Sequence, residues 1–217
     1  MPAEAAELLD PETETIRFYT ECAEEYLGSA PWGIPRQTEF MLYNILQEAG
    51  PKGLFLDIGC GNGRFAPEAY VLGVKRYLGV DASAPLVEMA RRAYGIYGGE
   101  FRVADILSLS RTVTEPVDIC ISFYVLSHIS RAKIDVALSE IRTVMKHGGL
   151  ALLEFVYGND ERMVTCADNP DLPEGYAVCI TGWTIESITP HLVSNKFEVL
   201  ESAENEGGYL STRLRAI

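Results

Sequence analysis

Behind Asp10-Pro11 the apolar positions Ile16, Tyr19, Ala23 and Tyr26 recur every three or four residues, which predicts an amphipathic helix. Asp10 has the side chain of an N-cap, Pro11 sits where a helix tolerates proline, and Gly28 closes the run. A second stretch of the same period covers 38–49 before Gly50-Pro51 stops it. From Leu54 onward the period changes. Short apolar runs at 54–58, 77–80, 101–104, 117–122 and 150–155 alternate with helical stretches near 65–72, 85–94 and 132–145. Gly73, Gly95 and Gly148 fall where helix C-caps belong. Strand-helix repetition returns each strand parallel to the last, so the chain reads as an α/β, doubly wound sheet with helices on both faces.

After the fifth strand the alternation fails. Residues 156–174 are polar, acidic and rich in turn formers, as a surface loop or lid would be. A helix is expected to start at Thr184, and two strand-like runs, 196–202 and 209–215, follow it. Only a short Glu/Asn/Gly stretch separates those runs, and a parallel connection needs a dozen residues or more, so they form an antiparallel hairpin.

Composition narrows the setting. The chain has 217 residues, 47% of them hydrophobic, which suits one domain and one core. No apolar stretch is long enough to span a bilayer, and residues 1–15 are acidic without the features of a secretory or transit segment. A cytoplasmic chain without a membrane partner is therefore expected. Cys22, Cys60, Cys120, Cys166 and Cys179 are scattered and read as reduced thiols, and no grouping of His with carboxylates points to a metal. The formal charge of -13 opposes binding to polyanions, whose affinity comes largely from Lys and Arg displacing counterions, so no nucleic-acid partner is expected.

The densest chemical signal is Asp57-Ile58-Gly59-Cys60-Gly61-Asn62-Gly63-Arg64, directly after a buried strand and before a helix. Glycines there let the backbone turn sharply and let a ligand approach the main chain. A dinucleotide fingerprint places its third glycine three positions after the second, where this chain has Arg64. A carboxylate at the strand end would also repel a diphosphate while attracting the ammonium of an amino-acid tail. S-adenosylmethionine carries that ammonium and no phosphate.

The stretch from Asp57 to Gly63 resembles the first motif of the class I S-adenosylmethionine-dependent methyltransferases of small-molecule type. The resemblance runs from about Tyr19 to the C-terminal hairpin and implies a Rossmann-like, seven-stranded sheet in the order 3-2-1-4-5-7-6 with strand 7 antiparallel. It implies a single domain with a helical cap over 1–50, a cofactor-binding core over 51–156 and a substrate-side loop, helix and hairpin over 157–217. S-adenosylmethionine would be the cofactor and S-adenosylhomocysteine its product.

By that resemblance Asp57, Gly59, Cys60, Gly61 and Gly63 form the cofactor loop. Asp81, about twenty residues past it with Ala82 alongside, would accept hydrogen bonds from ribose hydroxyls, while Ser83 is placed to cap the next helix. Asp105 and Ile106 resemble the adenine site, although an aspartate that merely closes a turn would look the same. Ser122 and Phe123 would lie near the methionine part of the cofactor, Tyr124 and His128 would face the acceptor, and Tyr26 resembles an N-terminal tyrosine that closes over the cofactor, although its helical spacing with Tyr19 is equally well explained by packing.

Methyl transfer to an oxygen or nitrogen of a small molecule is the activity this reading implies. His128 is the candidate general base, because imidazole titrates near neutrality, and a structural role for a lone histidine is the competing reading. Two rivals stand beside it: a non-catalytic module that binds S-adenosylmethionine, and a nicotinamide-dependent oxidoreductase.

Overall fold

A computed structural model describes residues 10–24, 36–50 and 53–217. Tyr26 and Gly28 lie outside them. Helix α1 (Pro11–Glu21) begins as the sequence predicts, with Pro11 in the first turn and the Asp10 carboxylate accepting from Thr13 N at 3.2 Å, and Cys22 stands at its C-cap. Helix α2 (Arg36–Ala49) follows, and then strand β1 (Leu54–Ile58), whose five residues are all buried.

The alternation continues with α3 (Ala66–Val71), β2 (Arg76–Asp81), α4 (Ala84–Tyr94), β3 (Glu100–Val103), β4 (Val117–Ser122), α5 (Ile134–Val144) and β5 (Met145–Tyr157). Strands β1 to β5 pair in parallel in the spatial order 3-2-1-4-5. The tail supplies α6 (Ile185–Ser194), β8 (Phe197–Glu204) and β9 (Tyr209–Ala216), and β9 lies antiparallel between β5 and β8. The seven-stranded core is thus 3-2-1-4-5-9-8 with one antiparallel strand, the expected topology with the tail strands renumbered.

Period-2 alternation sorts β1 between the two faces. Leu54, Leu56 and Ile58 pack with Ile134, Leu138 and Ile141 of α5 and Leu192 of α6, while Phe55 packs with Met41 and Ile45 of α2 and Val87 of α4. Each such fully buried Leu or Ile contributes about 1.5–3 kcal/mol of transfer free energy, so both faces hold the sheet.

Two expectations need correction. The polar stretch after β5 is not simply a loop: β6 (Glu161–Thr165) and β7 (Ala177–Trp183) pair as an antiparallel hairpin, and β7 joins β5 through Val156 and Tyr157. Glu161 and Arg162 of β6 are exposed on this edge, so its composition looks like loop. Gly148 does not cap α5; it takes φ 81° inside β5, where the chain bulges between the Val117–Met145 and Ile119–Leu150 pairs. Gly95 stands at the C-cap of α4 as expected, right-handed at φ -58°, and the chain continues into a 3₁₀ turn before Gly98 takes the left-handed position at φ 88°. Gly73, at φ 96°, follows α3 as expected, and Thr184 caps α6 reciprocally with Ser187.

Candidate active site

Strand β1 has β2 on one side and β4 on the other, so the chain reverses its winding beside it and a crevice opens at the carboxyl ends of the strands. The glycine loop fills the floor of that crevice. Gly59 sits at φ 73°, and a Cβ there would lie 1.9 Å from Cγ2 of Val125. Gly61 sits at φ 54° with nothing within 4 Å of an added Cβ, so it presents bare backbone to open space. Gly63 lies off the cavity and lets the loop close on Tyr94 and Phe101, where a Cβ would come within 2.9 and 3.0 Å of their rings.

Four of the loop's amides face inward. Gly59 N and Cys60 N donate to the Val80 carbonyl at 2.7 and 2.9 Å, Gly63 N donates to the Cys60 carbonyl at 2.9 Å, and Gly61 N donates to Asp81 Oδ2 at 2.9 Å. A diphosphate cradle works by aiming such amides at the ligand. Here they are spent on β2 and on the loop itself.

A cavity of about 230 Å³ lies over the loop, lined among others by Gly59, Cys60, Gly61, Asp81, Ala82, Asp105, Ile106, Phe123, Tyr124 and His128. The structure therefore gathers most of the expected site residues around one space. Asp81 accepts from Ser83 N at 2.8 Å as well as from Gly61 N, and burial raises its pKa against those two amides. Ser83 caps α4 as expected, accepting from Leu86 N at 3.5 Å. Asp105 lines the cavity and also accepts from Leu107 N at 2.9 Å, so it closes a turn and borders the site at once.

Asp57 and Ser122 are placed differently. Asp57 shares a face with Phe55, is buried beneath the loop rather than on the cavity wall, and accepts from the Tyr77 hydroxyl. Burial pushes its carboxyl up to about 7, opposed by the Tyr77 hydrogen bond and the Arg64 charge. Ser122 is wholly buried, off the wall, and among the described residues its hydroxyl has no hydrogen-bond partner. Tyr26 lies outside the described residues.

Helix α1 forms the roof with Glu12, Thr15, Ile16 and Tyr19. Glu12 is buried and held at Oε1 by Ser130 N and Oγ (2.8 and 2.6 Å) and at Oε2 by Lys133 Nζ (2.8 Å). Those donors outweigh burial and keep its pKa below the usual carboxylate value. Cys179 N of β7 donates to Thr15 Oγ1 at 2.9 Å. The sequence pattern treats Ile16 and Tyr19 as packing residues; the missed signal is that Glu12, Thr15, Ile16 and Tyr19 share one helical face on which polar and apolar side chains mix.

Opposite the roof, Phe123 packs edge-on to Phe65 with centroids 5.2 Å apart. Tyr124 holds φ 63°, an uncommon conformation for a residue with a Cβ and one that concentrates at functional sites. Its ring meets Tyr209 edge-on at 4.9 Å and carries the Arg64 guanidinium 5.2 Å from its centroid. His128, in a 3₁₀ turn (Leu126–His128), points one nitrogen at the Cys179 carbonyl (2.7 Å) and the other at the Tyr19 hydroxyl (3.0 Å). Among the described residues no group of three or more His, Cys, Asp or Glu is placed to hold a metal, and no helix is long and apolar enough to cross a membrane.

Residues 55–149 match a family model described as a methyltransferase domain. The chain is similar to "Probable tRNA methyltransferase 9B" of Homo sapiens, 32% identical over 163 residues that cover 75% of this chain and 32% of that protein. It is also similar to the tRNA (carboxymethyluridine(34)-5-O)-methyltransferase of Mus musculus, 32% identical over 146 residues, 63% of this chain and 19% of that one. The chain spans 63% or less of the length of the curated relatives it matches. The fold matches that of the Burkholderia thailandensis 1,6-didemethyltoxoflavin-N1-methyltransferase, crystallised with 1,6-didemethyltoxoflavin and S-adenosylhomocysteine, with a TM-score of 0.74, 15% identity and coverage of 98% of this chain and 93% of that one.

The names of the two tRNA enzymes overturn the exclusion of nucleic acid drawn from net charge. A total of -13 describes the whole chain, whereas phosphate contacts need only a local cluster of cations. In those relatives the matched segment is about a third of the protein or less, so such a cluster need not lie within it.

Proposed function

We propose that this chain, whose residues 55–149 match a methyltransferase domain, is a class I S-adenosylmethionine-dependent methyltransferase that transfers the cofactor's methyl group to an oxygen or nitrogen of an acceptor admitted beneath α1. The observation that carries this reading is the glycine loop, four of whose amides are turned inward while Gly61 leaves backbone bare toward the cavity.

The cavity wall suits an adenosine with a zwitterionic tail. Asp81 and Asp105 supply carboxylate acceptors, Leu86, Ala104 and Ile106 supply an apolar slot, and Arg64 supplies a cation near the loop. Asp57, beneath the loop, adds a carboxylate field that favours an ammonium and opposes a phosphate. A nicotinamide cofactor would need its diphosphate cradled by amides that are already used, which disfavours an oxidoreductase.

When bound, S-adenosylmethionine supplies an activated methyl carbon and its leaving group. What remains for the chain is to orient the acceptor and exclude water. Tyr19 and Ile16 from the roof and Phe123 and Tyr124 from the β4 side wall the space with rings and alkyl groups. Charge concentrated on a sulfonium is dispersed by a neutral nucleophile and cancelled by an anionic one, so a water-poor wall would lower the barrier.

A small-molecule acceptor is favoured by the roofed cavity, and a tRNA nucleoside by the named relatives. The five cysteines are free thiols, which supports a cytoplasmic setting. Incubation with methyl-tritiated S-adenosylmethionine and either unfractionated tRNA or a panel of hydroxylated and amino metabolites tests the reading. Label in either pool supports methyl transfer and tells the acceptor classes apart. Tight cofactor binding with no label in any pool would leave the non-catalytic module as the better description.

A further inference from the structure

The His128 ring is held at both nitrogens. Nδ1 lies 2.7 Å from the Cys179 carbonyl oxygen. A carbonyl only accepts, so Nδ1 carries the ring hydrogen. Nε2 is then the bare nitrogen, and the Tyr19 hydroxyl 3.0 Å away must donate to it. The two rings meet edge to face with centroids 5.4 Å apart, and both residues line the cavity. Burial holds the His128 pKa below its ordinary value, against the Cys179 hydrogen bond, so the ring is neutral near pH 7.

A base whose lone pair is covered by a tyrosine does not meet an acceptor itself. The tyrosine does: a phenolic oxygen that donates one hydrogen bond still has lone pairs to accept another. We propose that Tyr19 and His128 form a proton relay, with the Tyr19 hydroxyl receiving a proton from an O–H or N–H of the acceptor and His128 Nε2 as the final proton store. This rests on the methyl-transfer reading above.

The balance is simple. The acceptor heteroatom bonds the methyl carbon as the carbon–sulfur bond breaks with its electron pair on sulfur. The acceptor's proton passes to Tyr19 Oη, and the proton already on Oη passes to Nε2. A neutral acceptor therefore ends as a neutral methylated product beside a neutral thioether and an imidazolium. One positive charge is present before the step, on sulfur, and one after it, on the ring. A sulfonium held in this cavity would add to burial in disfavouring a charged ring, and its conversion to a thioether would remove that repulsion.

Among the described residues, Glu12 on α1, paired with Lys133, lines the same cavity, and Cys179 on β7 feels Glu161 of β6 as well as Glu12. None of these pairs changes when sulfur loses its charge. Nitrogen-15 NMR of the histidine-labelled full chain, titrated in the S-adenosylmethionine and S-adenosylhomocysteine complexes and assigned with His128→Gln, tests the relay. The expected result is an Nδ1–H tautomer in the neutral ring, with a pKa higher by about one unit in the S-adenosylhomocysteine complex. Tyr19→Phe, which keeps the ring and removes only the hydroxyl, should slow label transfer about 100-fold. Failure of either ligand to bind would remove the methyl-transfer reading itself. Binding of both with an Nε2–H tautomer, equal pKa values in the two complexes, or a Tyr19→Phe loss under threefold would overturn the relay alone.

Discussion

Gly59 and Val125 are in such close contact that a Cβ on Gly59 would stand 1.9 Å from Val125 Cγ2. Gly59 also holds φ 73°, so both the backbone and the neighbour exclude a side chain. Gly59→Ala should therefore cost more than about 2 kcal/mol in urea unfolding. Gly61 shares the left-handed backbone but faces open space. Gly61→Ala should cost only about 1–2 kcal/mol of stability, and Gly61→Val should weaken S-adenosylhomocysteine binding at least tenfold, or ~1.4 kcal/mol. Equal stability losses at the two glycines would contradict this assignment of their roles.

Asp81 joins the loop to the cavity wall, accepting from Gly61 N and Ser83 N. Asp81→Ala removes both acceptors and the carboxylate facing the ligand. Cofactor affinity should fall at least tenfold, equivalent to ~1.4 kcal/mol, with the unfolding midpoint also lowered. Unchanged affinity in calorimetry would place the ribose elsewhere.

Glu154 and Asp57 set a pH dependence. Glu154 is buried on β5 and accepts at Oε1 from Asn205 and Ser211 (3.2 and 3.3 Å), while its Oε2 has no partner among the described residues. Burial pushes Glu154 up to about 7, as it does Asp57. Both folded values exceed the unfolded ones, so the native state binds more protons between them. Their contribution to stability is then fullest below about pH 4 and declines as pH rises toward 7. Glu154→Gln should flatten the decline between pH 5 and pH 8 by on the order of 2 kcal/mol, read from urea midpoints at the two pH values. A wild-type chain whose stability rises over that interval would contradict the buried placement of these carboxylates.

Glu12 fixes the roof by tying α1 to Ser130 and Lys133. Glu12→Gln keeps the shape but loses the charge that these donors select. Stability should fall by about 1–3 kcal/mol, and bound S-adenosylhomocysteine should dissociate faster in stopped flow. A dissociation rate equal to wild type would mean that α1 does not close the cavity.

Much of this fold is legible because the parallel core writes its period plainly: β1 and β4 fall on the apolar runs at 54–58 and 117–122. The β6–β7 hairpin escapes because β6 is a short edge strand with Glu161 and Arg162 exposed, so no alternation marks it. The glycine loop, Asp81 and Asp105 are readable from position along the sheet. Asp57 is a different case: two residues after Phe55 it must share that residue's buried face, which strand period alone places beneath the loop. The state of His128 was beyond reach, since its tautomer depends on Cys179, 51 residues away, and on Tyr19, 109 residues away.

On this reading the cavity over the glycine loop accepts a zwitterionic adenosyl amino acid and rejects a diphosphate. Titration calorimetry of the full chain with S-adenosylmethionine and, separately, NADH reads that choice. Saturable heat at a single site with S-adenosylmethionine and none with NADH is the predicted result, and saturable binding of NADH alone would contradict it.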